Sequence, residues 1–519
     1  PRAVNASTPS TVLFDGGDLR LEQIDALAAR RAVSVLDDGA PFRRRIDRGA
    51  AFLDTLLKEE GVIYGVTTGY GDSCTVAIPE ALTEALPERI FTFHGCGLGD
   101  HFDEPATRAI LAARLASLCR GYSGVRYELL QRLHGLLQAD LLPLIPEEGS
   151  VGASGDLTPL SYVAAVLAGQ RSLRVEGQVR DTGEVYAERG ISPLTLRPKE
   201  GLALMNGTAV MTGLACLAFA RAAYLEQLAT RITALASFAL GGNPAHFDPD
   251  LFAVKPHPGP VRAAHRLHQD LAAGPAPGHD ARLQDRYSLR CAPHVIGVLG
   301  DTLTQLRGFV ETELNSANDN PIIDADNQRV LHGGHFYGGH IGQAMDSLKT
   351  ATASVADLLD RQLAQLVDPK FNQGLPANLS AVEGPRACIN HGFKAVQIGA
   401  SAWTAEALKL TMPATSFSRS TECHNQDKVS MGTIAARDAL RVLALTEQVS
   451  AAALLAVCQA AELRQARDGA ALPEALAETL VAVRRDSPPL IEDRPLEHEL
   501  RGTLTRIRER HWSLYEPHP

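Results

Sequence analysis

The amino-acid sequence predicts a mainly α-helical protein built on a bundle of long helices, with a smaller mixed domain at the N-terminal end. Residues 208–240 are rich in Ala and Leu and apolar almost all round, which is typical of a helix buried within a bundle. Residues 429–464 contain no proline and one glycine. A continuous helix there would extend about 50 Å at about 1.5 Å per residue. The alternation of β-branched residues that is typical of strands is rare.

Apolar residues recur at helical spacing in two further segments, namely Leu303, Leu306, Val310 and Leu314, and Ile341, Met345, Leu348, Val355, Leu358 and Leu359. The stretch ISPLTLRPKEGLAL, which begins at Ile191, contains Pro and Gly residues that are typical of a domain boundary. We therefore predict an N-terminal domain over residues 1–204 and a long-helix bundle over residues 205–519. The stretch from about residue 466 predicts polar helices.

Composition and charge exclude several kinds of partner. The 519 residues include 60 acidic and 50 basic side chains, a net charge of −10, and Lys and Arg form no block. Nucleic acids and anionic membranes require a basic face, so we expect neither as a partner. The first 17 residues lack a basic start followed by an apolar segment, and no apolar run reaches bilayer length, so we expect neither a signal peptide nor a membrane span.

The eight cysteines are spread along the chain, and no C-x-x-C pair occurs. This spacing is typical of reduced thiols rather than of a disulfide framework or a zinc site. We therefore expect a cytoplasmic protein.

The stretch EEGSVGASGDLTPLSYV, residues 147–163, places Ala153, Ser154 and Gly155 just before the predicted start of a helix. Ser154 does not fit the nucleophile of a G-x-S-x-G hydrolase, because Asp156 stands where the second glycine belongs. An ordinary loop is a second interpretation. The third is covalent self-modification, since Gly155 lacks a Cβ and its backbone nitrogen can fold back onto the Ala153 carbonyl. Loss of the Ser154 hydroxyl as water would then leave an electrophilic methylidene.

Six further stretches form a series with GSVGASGDLTPL, namely YGVTTGYG (64–71), LMNGT (204–208), QDRYSLRC (284–291), NSANDNP (315–321), HGGHF (332–336) and HNQDKVSM (424–431). Together and in this order they resemble the motifs of the histidine, phenylalanine and tyrosine ammonia-lyase family. The resemblance covers about residues 60–435. It implies the fold of that family and an enzyme that eliminates ammonia from an α-amino acid to give an arylacrylate.

The resemblance implies that Ala153, Ser154 and Gly155 cyclise autocatalytically to 4-methylidene-imidazole-5-one (MIO), without a metal. This group would capture the substrate amine and so assist its departure. Tyr64 matches the family's base, which removes the β-hydrogen. We expect positive potential, such as that of helix N-termini, to lower its pKa from the ordinary value near 10. The glycines of its loop fit a mobile lid.

Other matched residues would bind the substrate or flank the MIO. Arg290 matches the residue that forms paired hydrogen bonds with the substrate carboxylate. Asn206 and Tyr287 match residues that contact the MIO and the substrate, and Gln284 matches a neighbouring hydrogen-bonding position. Phe336 matches an aromatic residue that excludes water from the electrophile. The resemblance also implies a homotetramer whose active sites are shared between subunits.

Phe93 and His94, in FTFHGCGLG, match the two positions near the end of the substrate side chain. Histidine-specific members and some tyrosine-acting enzymes carry Ser-His there, phenylalanine lyases Phe-Leu, and another tyrosine group His-Leu, so Phe-His is a departure. Neutral His94 can bond a phenol or an imidazole. Gln426 stands where histidine lyases carry Glu, and its neutral amide removes the attraction for a basic ring. We therefore predict L-tyrosine and a p-coumarate-type product, with histidine and phenylalanine as alternatives.

Two other functions use the same residues or their scaffold. An aminomutase would return the ammonia to the β-carbon. A catalytically silent relative would have a structural role, but loss of Ser154, Tyr64 or Arg290 would mark it, and all three are present. His332, His335 and His340 in HGGHFYGGH suggest a metal site. However, neither Asp nor Glu follows at ligand spacing and paired glycines hold coordination geometry poorly, so we expect no metal.

Overall fold

A computed structural model describes residues 10–59, 62–272, 274 and 282–515. Residues 1–9, which belong to the segment where we expect no signal peptide, lie outside the described residues. Helices dominate the described part of the chain, which confirms the predicted mainly α class.

In chain order the α-helices are α1 Leu21–Ala28, α2 Ala40–Lys58, α3 Glu80–Thr83, α4 Leu86–Phe93, α5 Glu104–Cys119, α6 Tyr127–Gln138, α7 Leu157–Leu167, α8 Thr182–Arg189, α9 Glu200–Met205, α10 Ala209–Ala239, α11 Pro249–Ala253, α12 Pro258–Leu271, α13 Tyr287–Arg290, α14 Ala292–Leu314, α15 Gly339–Val367, α16 Lys394–Lys409, α17 Gly432–Asp468, α18 Glu474–Arg484 and α19 Glu497–Arg508. The strands are β1 Ser10–Phe14, β2 Ala32–Leu36, β3 Leu98–His101, β4 Leu142–Pro143, β5 Pro146–Glu148, β6 Ser172–Val175, β7 Gln178–Asp181, β8 Ile322–Asp324 and β9 Arg329–Leu331.

The long helices lie where the apolar segments predict them. Helix α10 covers the Ala- and Leu-rich segment 208–240 except for its two end residues. Helix α17 covers most of the proline-free segment 429–464. Helices α14 and α15 carry the two series of apolar residues at helical spacing, and these residues are buried. The stretch after residue 466 forms α18 and α19, as predicted.

Two helices bear on the expectation that no membrane span is present. Helices α10 and α17 are long and apolar enough, by length and composition alone, to cross a bilayer. Their apolar windows of 18 residues are 89% and 78% buried inside the protein. Since the core helix of a protein outside a membrane passes the same test, these two helices are weak evidence for a span.

The chain divides into two compact units. Unit 1 comprises Pro1–Ala220, Arg307–Asp346 and Pro413–Arg437, and unit 2 comprises Arg221–Leu306, Ser347–Met412 and Asp438–Pro519. The two units follow contacts in space, and each comprises three separate segments of the chain. The predicted domain boundary between residues 204 and 205 stays a prediction.

Unit 1 contains the described strands. Strand β1 pairs in parallel with β2, β3 pairs with β5 in antiparallel fashion, β4, β6 and β7 form an antiparallel sheet in that order, and β8 pairs with β9 in antiparallel fashion. A core cluster of Leu53, Ile63, Val66 and Ile323 joins α2 to β8. Because Ile63 and Val66 are buried in this cluster, they anchor the start of the loop that carries Tyr64.

Helix α5 belongs to unit 1 and is buried from Ala106 to Cys119. It begins where the Asp103 side chain accepts a hydrogen bond from the Ala106 backbone at 2.9 Å, with Pro105 in the first turn. An aspartate cap and an early proline are favoured at a helix start. Helix α5 thereby holds the buried Arg114, which supports the candidate site described below.

In unit 2, helices α15, α16 and α17 pack around Ala353, Ala407, Val442 and Leu445. The small side chains in this cluster allow the helices to approach closely, and half-buried Trp403 and Leu410 pack against its edge. Unit 2 therefore has its own apolar core.

A buried ion pair in unit 1 predicts a measurable stability effect. Lys199 Nζ lies 2.6 Å from Asp319 Oδ2, and both side chains are fully buried. Replacing one partner leaves the other charge unpaired in the interior, so Lys199→Met should lower the free energy of unfolding by about 3–5 kcal/mol. Chemical denaturation measures this change.

Lys58→Met at an exposed position is the matched control and should leave the stability nearly unchanged. The double variant Lys199→Met/Asp319→Leu, which removes both charges, should recover most of the loss. Equal stabilities of Lys199→Met and Lys58→Met would contradict the structural role of the pair.

Candidate active site

A cavity of about 1080 Å³ lies within unit 1. Its lining includes the predicted site residues Tyr64, Phe93, His94, Ala153, Ser154, Asn206, Phe336 and Gln426. These residues are distant in the sequence, and the fold brings them to one place. Their catalytic and binding roles stay predictions.

The Ala153-Ser154-Gly155 triplet forms a tight turn just before α7. Ser154 and Gly155 both have positive φ, of 47° and 80°. A Cβ on Gly155 would lie 2.1 Å from the Gly207 carbonyl oxygen, so that glycine alone fits there. The turn therefore has a compact backbone in which a serine takes an uncommon conformation.

Two donors converge on the carbonyl oxygen of Ser154. The Asn206 side-chain Nδ2 donates to it at 2.7 Å, and the Gly207 backbone N–H donates at 3.3 Å. The Asp156 N–H in turn donates to the Gly207 carbonyl at 2.7 Å. This paired arrangement holds the turn against the Asn206–Gly207 segment and would stabilise negative charge that develops on the Ser154 oxygen.

A fully buried arginine forms a hydrogen bond with the Asn206–Gly207 segment. Arg114 donates to the Asn206 carbonyl at 2.9 Å and to the Asn318 side chain at 3.2 Å. Asn320 N–H donates to Asn206 Oδ1 at 2.6 Å. Because Asn206 is held at its carbonyl and at its amide oxygen, its Nδ2 is aimed at the turn.

The residue after the triplet is also buried. Asp156 accepts hydrogen bonds from the Met211 backbone at 3.0 Å, from Ser150 Oγ at 3.2 Å and from Thr433 Oγ1. Burial raises the pKa of Asp156 to about 6, and these hydrogen bonds act in the opposite direction. Asp156 therefore ties the turn to the first turn of α10 and to the start of α17.

Tyr64 faces the cavity, and its hydroxyl accepts a hydrogen bond from the Gly71 N–H at 2.7 Å. Burial raises the pKa of Tyr64, and the nearby Glu422 carboxylate adds to this effect, while the Gly71 hydrogen bond lowers it. The expected lowering by positive potential is therefore wrong for this chain. Sequence patterns do not report how far a tyrosine is desolvated, and desolvation is the largest cause here.

Glu422 is a cavity residue that the sequence motifs do not indicate. Its Oε1 accepts from the Asp72 N–H at 2.8 Å, and its Oε2 accepts from Asn425 Nδ2 at 2.9 Å. A Cβ on Gly71 would lie 1.5 Å from Glu422 Oε1, so the glycine permits this close approach. The Tyr64 loop is thus fastened to the segment that carries HNQDKVSM. An acidic residue two places before that motif was the available signal.

Gln426 and the Phe93-His94 pair lie on the same cavity. Gln426 Nε2 donates to Ser154 Oγ at 3.4 Å. Burial lowers the pKa of His94 to about 4, and the positive charge of Arg171 contributes. His94 is therefore neutral at neutral pH and offers one donor and one acceptor.

The glycine-rich segment HGGHFYGGH contributes Phe336 to the cavity, where it is half-buried. His332 also lines the cavity, and its Nε2 accepts from the Tyr64 N–H at 3.5 Å. His340 contacts the ring of Phe309 edge-on at 4.9 Å. Within the described ranges, no group of three or more His, Cys, Asp or Glu side chains could hold a metal ion.

Gln284, Tyr287 and Arg290 belong to unit 2 and are not among the residues that line this cavity. Tyr287 is 71% exposed, and Arg290 lies over its ring at 4.7 Å. Arg290 Nε also donates to the Asp285 carbonyl at 2.8 Å. The predicted roles of these three residues stay predictions.

Comparisons with known proteins show the family of this chain. The family model "Aromatic amino acid lyase" matches residues 19–485. The histidine ammonia-lyase of Deinococcus radiodurans is 36% identical over 495 residues, which are 95% of this chain and 92% of that protein. The histidine ammonia-lyase of Bos taurus is 34% identical over 516 residues, which are 98% of this chain and 77% of that protein.

Solved structures of ammonia-lyases and aminomutases also match this chain. The tyrosine aminomutase from Streptomyces globisporus matches with a TM-score of 0.89 and 34% identity over 97% of each chain. The histidine ammonia-lyase from Trypanosoma cruzi matches with a TM-score of 0.87 and 31% identity over 96% of this chain and 94% of that chain. These likenesses confirm the predicted fold type. The chain belongs to the aromatic amino acid lyase family and is a carbon–nitrogen lyase.

Proposed function

We propose that this enzyme eliminates ammonia from L-histidine. The Cα–N bond and one Cβ–H bond break, a Cα=Cβ double bond forms, and an imidazolyl acrylate and ammonia leave. The observation that carries the choice of substrate is that the relatives from Deinococcus radiodurans and Bos taurus, matched over nearly the whole chain, are histidine ammonia-lyases. This proposal replaces the preference for tyrosine, which the comparisons do not support.

L-Tyrosine is the second candidate, and Gln426 is the observation that favours it. A neutral amide gives a basic imidazole no ionic partner, whereas it is compatible with a phenol. The solved tyrosine aminomutase with 34% identity is consistent with a phenolic substrate. Phenylalanine fits less well, because an unsubstituted ring would leave the polar atoms of His94 without a partner.

We infer that Ala153, Ser154 and Gly155 form the MIO group. In that reaction the Gly155 amide nitrogen bonds to the Ala153 carbonyl carbon, the carbonyl oxygen leaves as water, and the Ser154 hydroxyl leaves as a second water. The positive φ values at Ser154 and Gly155 and the space that admits only glycine at position 155 support this assignment. When formed, the group supplies an electron-poor carbon that captures the substrate amine.

The protein's own residues would supply the remaining chemistry. Ionised Tyr64 would remove the β-hydrogen as general base. Asn206 Nδ2 and the Gly207 N–H would stabilise charge on the oxygen of residue 154, to which they already donate. Phe336 would exclude water from the electrophile, and Phe93 would contact the substrate ring beside His94.

We propose that the enzyme is a homotetramer whose active sites are shared between subunits. In it, residues of unit 2 would bind the substrate carboxylate. Arg290 would form paired hydrogen bonds with the carboxylate, and Tyr287 and Gln284 would assist. The 71% exposure of Tyr287 supports a contribution to the site of a partner subunit. We propose the cytoplasm as the compartment, and the free thiols of the eight cysteines support this assignment.

Ser154→Ala tests formation of the group. The wild-type protein should be two water molecules lighter by intact mass than its sequence requires, and Ser154→Ala should remove both the mass loss and the release of ammonia. Ser192→Ala, at an exposed serine outside the cavity, should retain both. A wild-type mass equal to that of the unmodified sequence in active protein would refute the assignment.

Tyr64→Phe tests the general base. Turnover should fall by about 10²–10⁴-fold while the mass loss persists, since the base acts after maturation. Tyr64 is basic only when ionised and its pKa is raised, so kcat/KM of the wild type should rise as pH increases into the alkaline range. Tyr122→Phe, which changes an exposed tyrosine, is the control. Full activity in Tyr64→Phe would exclude the role.

A substrate panel tests the proposed specificity. The kcat/KM for ammonia release should be highest with L-histidine, followed by L-tyrosine, and lowest with L-phenylalanine, because the polar atoms of His94 favour a polar ring. Ultraviolet absorbance identifies the acrylate. A higher kcat/KM with tyrosine would select the second candidate, and accumulation of a β-amino acid would identify an aminomutase.

A further inference from the structure

A threonine on α7 contacts the ring of His94. Thr158 Oγ1 lies 3.3 Å from His94 Nδ1, and the Thr158 side chain is buried. The His94 ring lines the cavity, and its Nε2 has no hydrogen-bond partner among the residues that the structure describes. Thr158 thus contacts one polar atom of the ring and leaves the other for a substrate.

The same helix holds the backbone of His94. Ser161 Oγ lies 3.2 Å from the His94 carbonyl oxygen, within hydrogen-bond distance. Arg171 donates to Ser161 Oγ at 3.1 Å and to the Phe91 carbonyl. The Tyr162 hydroxyl, also on α7, accepts from the Gly97 N–H at 3.2 Å. The end of α4 and the segment after it are therefore fastened to α7 on both sides of His94.

The contact has a chemical consequence because His94 is neutral. A neutral imidazole carries one proton, on Nδ1 or on Nε2, and the partner of one nitrogen decides the state of the other. If the Thr158 hydroxyl donates to Nδ1, Nε2 carries the proton and donates to the substrate. If the hydroxyl accepts from Nδ1, Nε2 accepts from the substrate. A hydroxyl can rotate between these two states, whereas a carbonyl or an ammonium group cannot.

We propose that Thr158 is a positioning residue that fixes the ring of His94 in either tautomer, and that it thereby makes the site prefer amino acids with a polar ring over phenylalanine. This inference rests on the proposed function, because it assigns His94 to the substrate ring. The Thr158 contact at Nδ1 holds the His94 ring in one orientation before the substrate binds. A polar substrate ring can then form a hydrogen bond with Nε2 without first ordering the His94 side chain. A phenyl substrate would bury Nε2 unpaired.

Thr158→Val tests the proposal, because valine keeps the shape of threonine and removes the hydroxyl. The ratio of kcat/KM for histidine or tyrosine to that for phenylalanine should fall by roughly tenfold, mainly through KM. Thr158→Ser, which restores the hydroxyl, should restore the ratio. Intact mass should show the loss of two waters in both variants, which separates this effect from failed maturation.

A second experiment repeats Thr158→Val in a protein that also carries His94→Leu. If Thr158 acts through His94, Thr158→Val should leave the substrate ratio unchanged in that background. A ratio that falls equally in both backgrounds would show that Thr158 acts only through packing and would overturn the proposal. Where valine prevents maturation, Thr158→Ser and Thr158→Ala provide the same comparison of a hydroxyl present and absent.

The wild-type measurement separates the two levels of inference. If the wild type releases no ammonia from any of the three amino acids, the proposed function fails and this inference fails with it. An active wild type whose substrate ratio is unchanged by Thr158→Val overturns the inference alone.

Discussion

The site depends on the pairing of two short segments, Ser154–Asp156 and Asn206–Gly207. Three hydrogen bonds join them, and two of these end on the same oxygen, that of Ser154. The pairing is possible because neither Gly155 nor Gly207 carries a Cβ, which would collide with the opposite backbone or with Arg114. The two segments precede α7 and α10, so the same contact fixes where two helices begin.

Buried polar groups around this pairing hold it in place. Arg114 reaches Asn206 from α5, and Asp156 reaches Met211 and Thr433. A buried charge without partners is costly, so these groups favour one arrangement of the surrounding backbone over others. The turn is therefore held both by buried groups in the interior of unit 1 and by Asn206 on the cavity wall.

Much of the fold and part of the site could be predicted from the sequence. Helices α10 and α17 follow from apolar composition and the lack of proline, and the motifs led to Tyr64 and Ser154 because chemistry limits which residues can stand there. Glu422 lies just before one motif and Thr158 within another, but their contacts with Asp72 and His94 could not be predicted, since these span more than 60 residues of sequence. The raised pKa of Tyr64 is likewise a product of burial, which no motif records.

Helix α7 carries the Ala153-Ser154-Gly155 turn at its N-terminal end and contacts His94 through Thr158 and Ser161. An α-helix is a stiff rod with a rise of about 1.5 Å per residue, so the span from the turn to His94 is a fixed length. The turn and the His94 ring are therefore held at a set separation. Under the proposed function, an amino acid with one methylene more or fewer between the α-carbon and the ring could not place its amine at the turn and its ring at His94 together, whatever the chemistry of the ring.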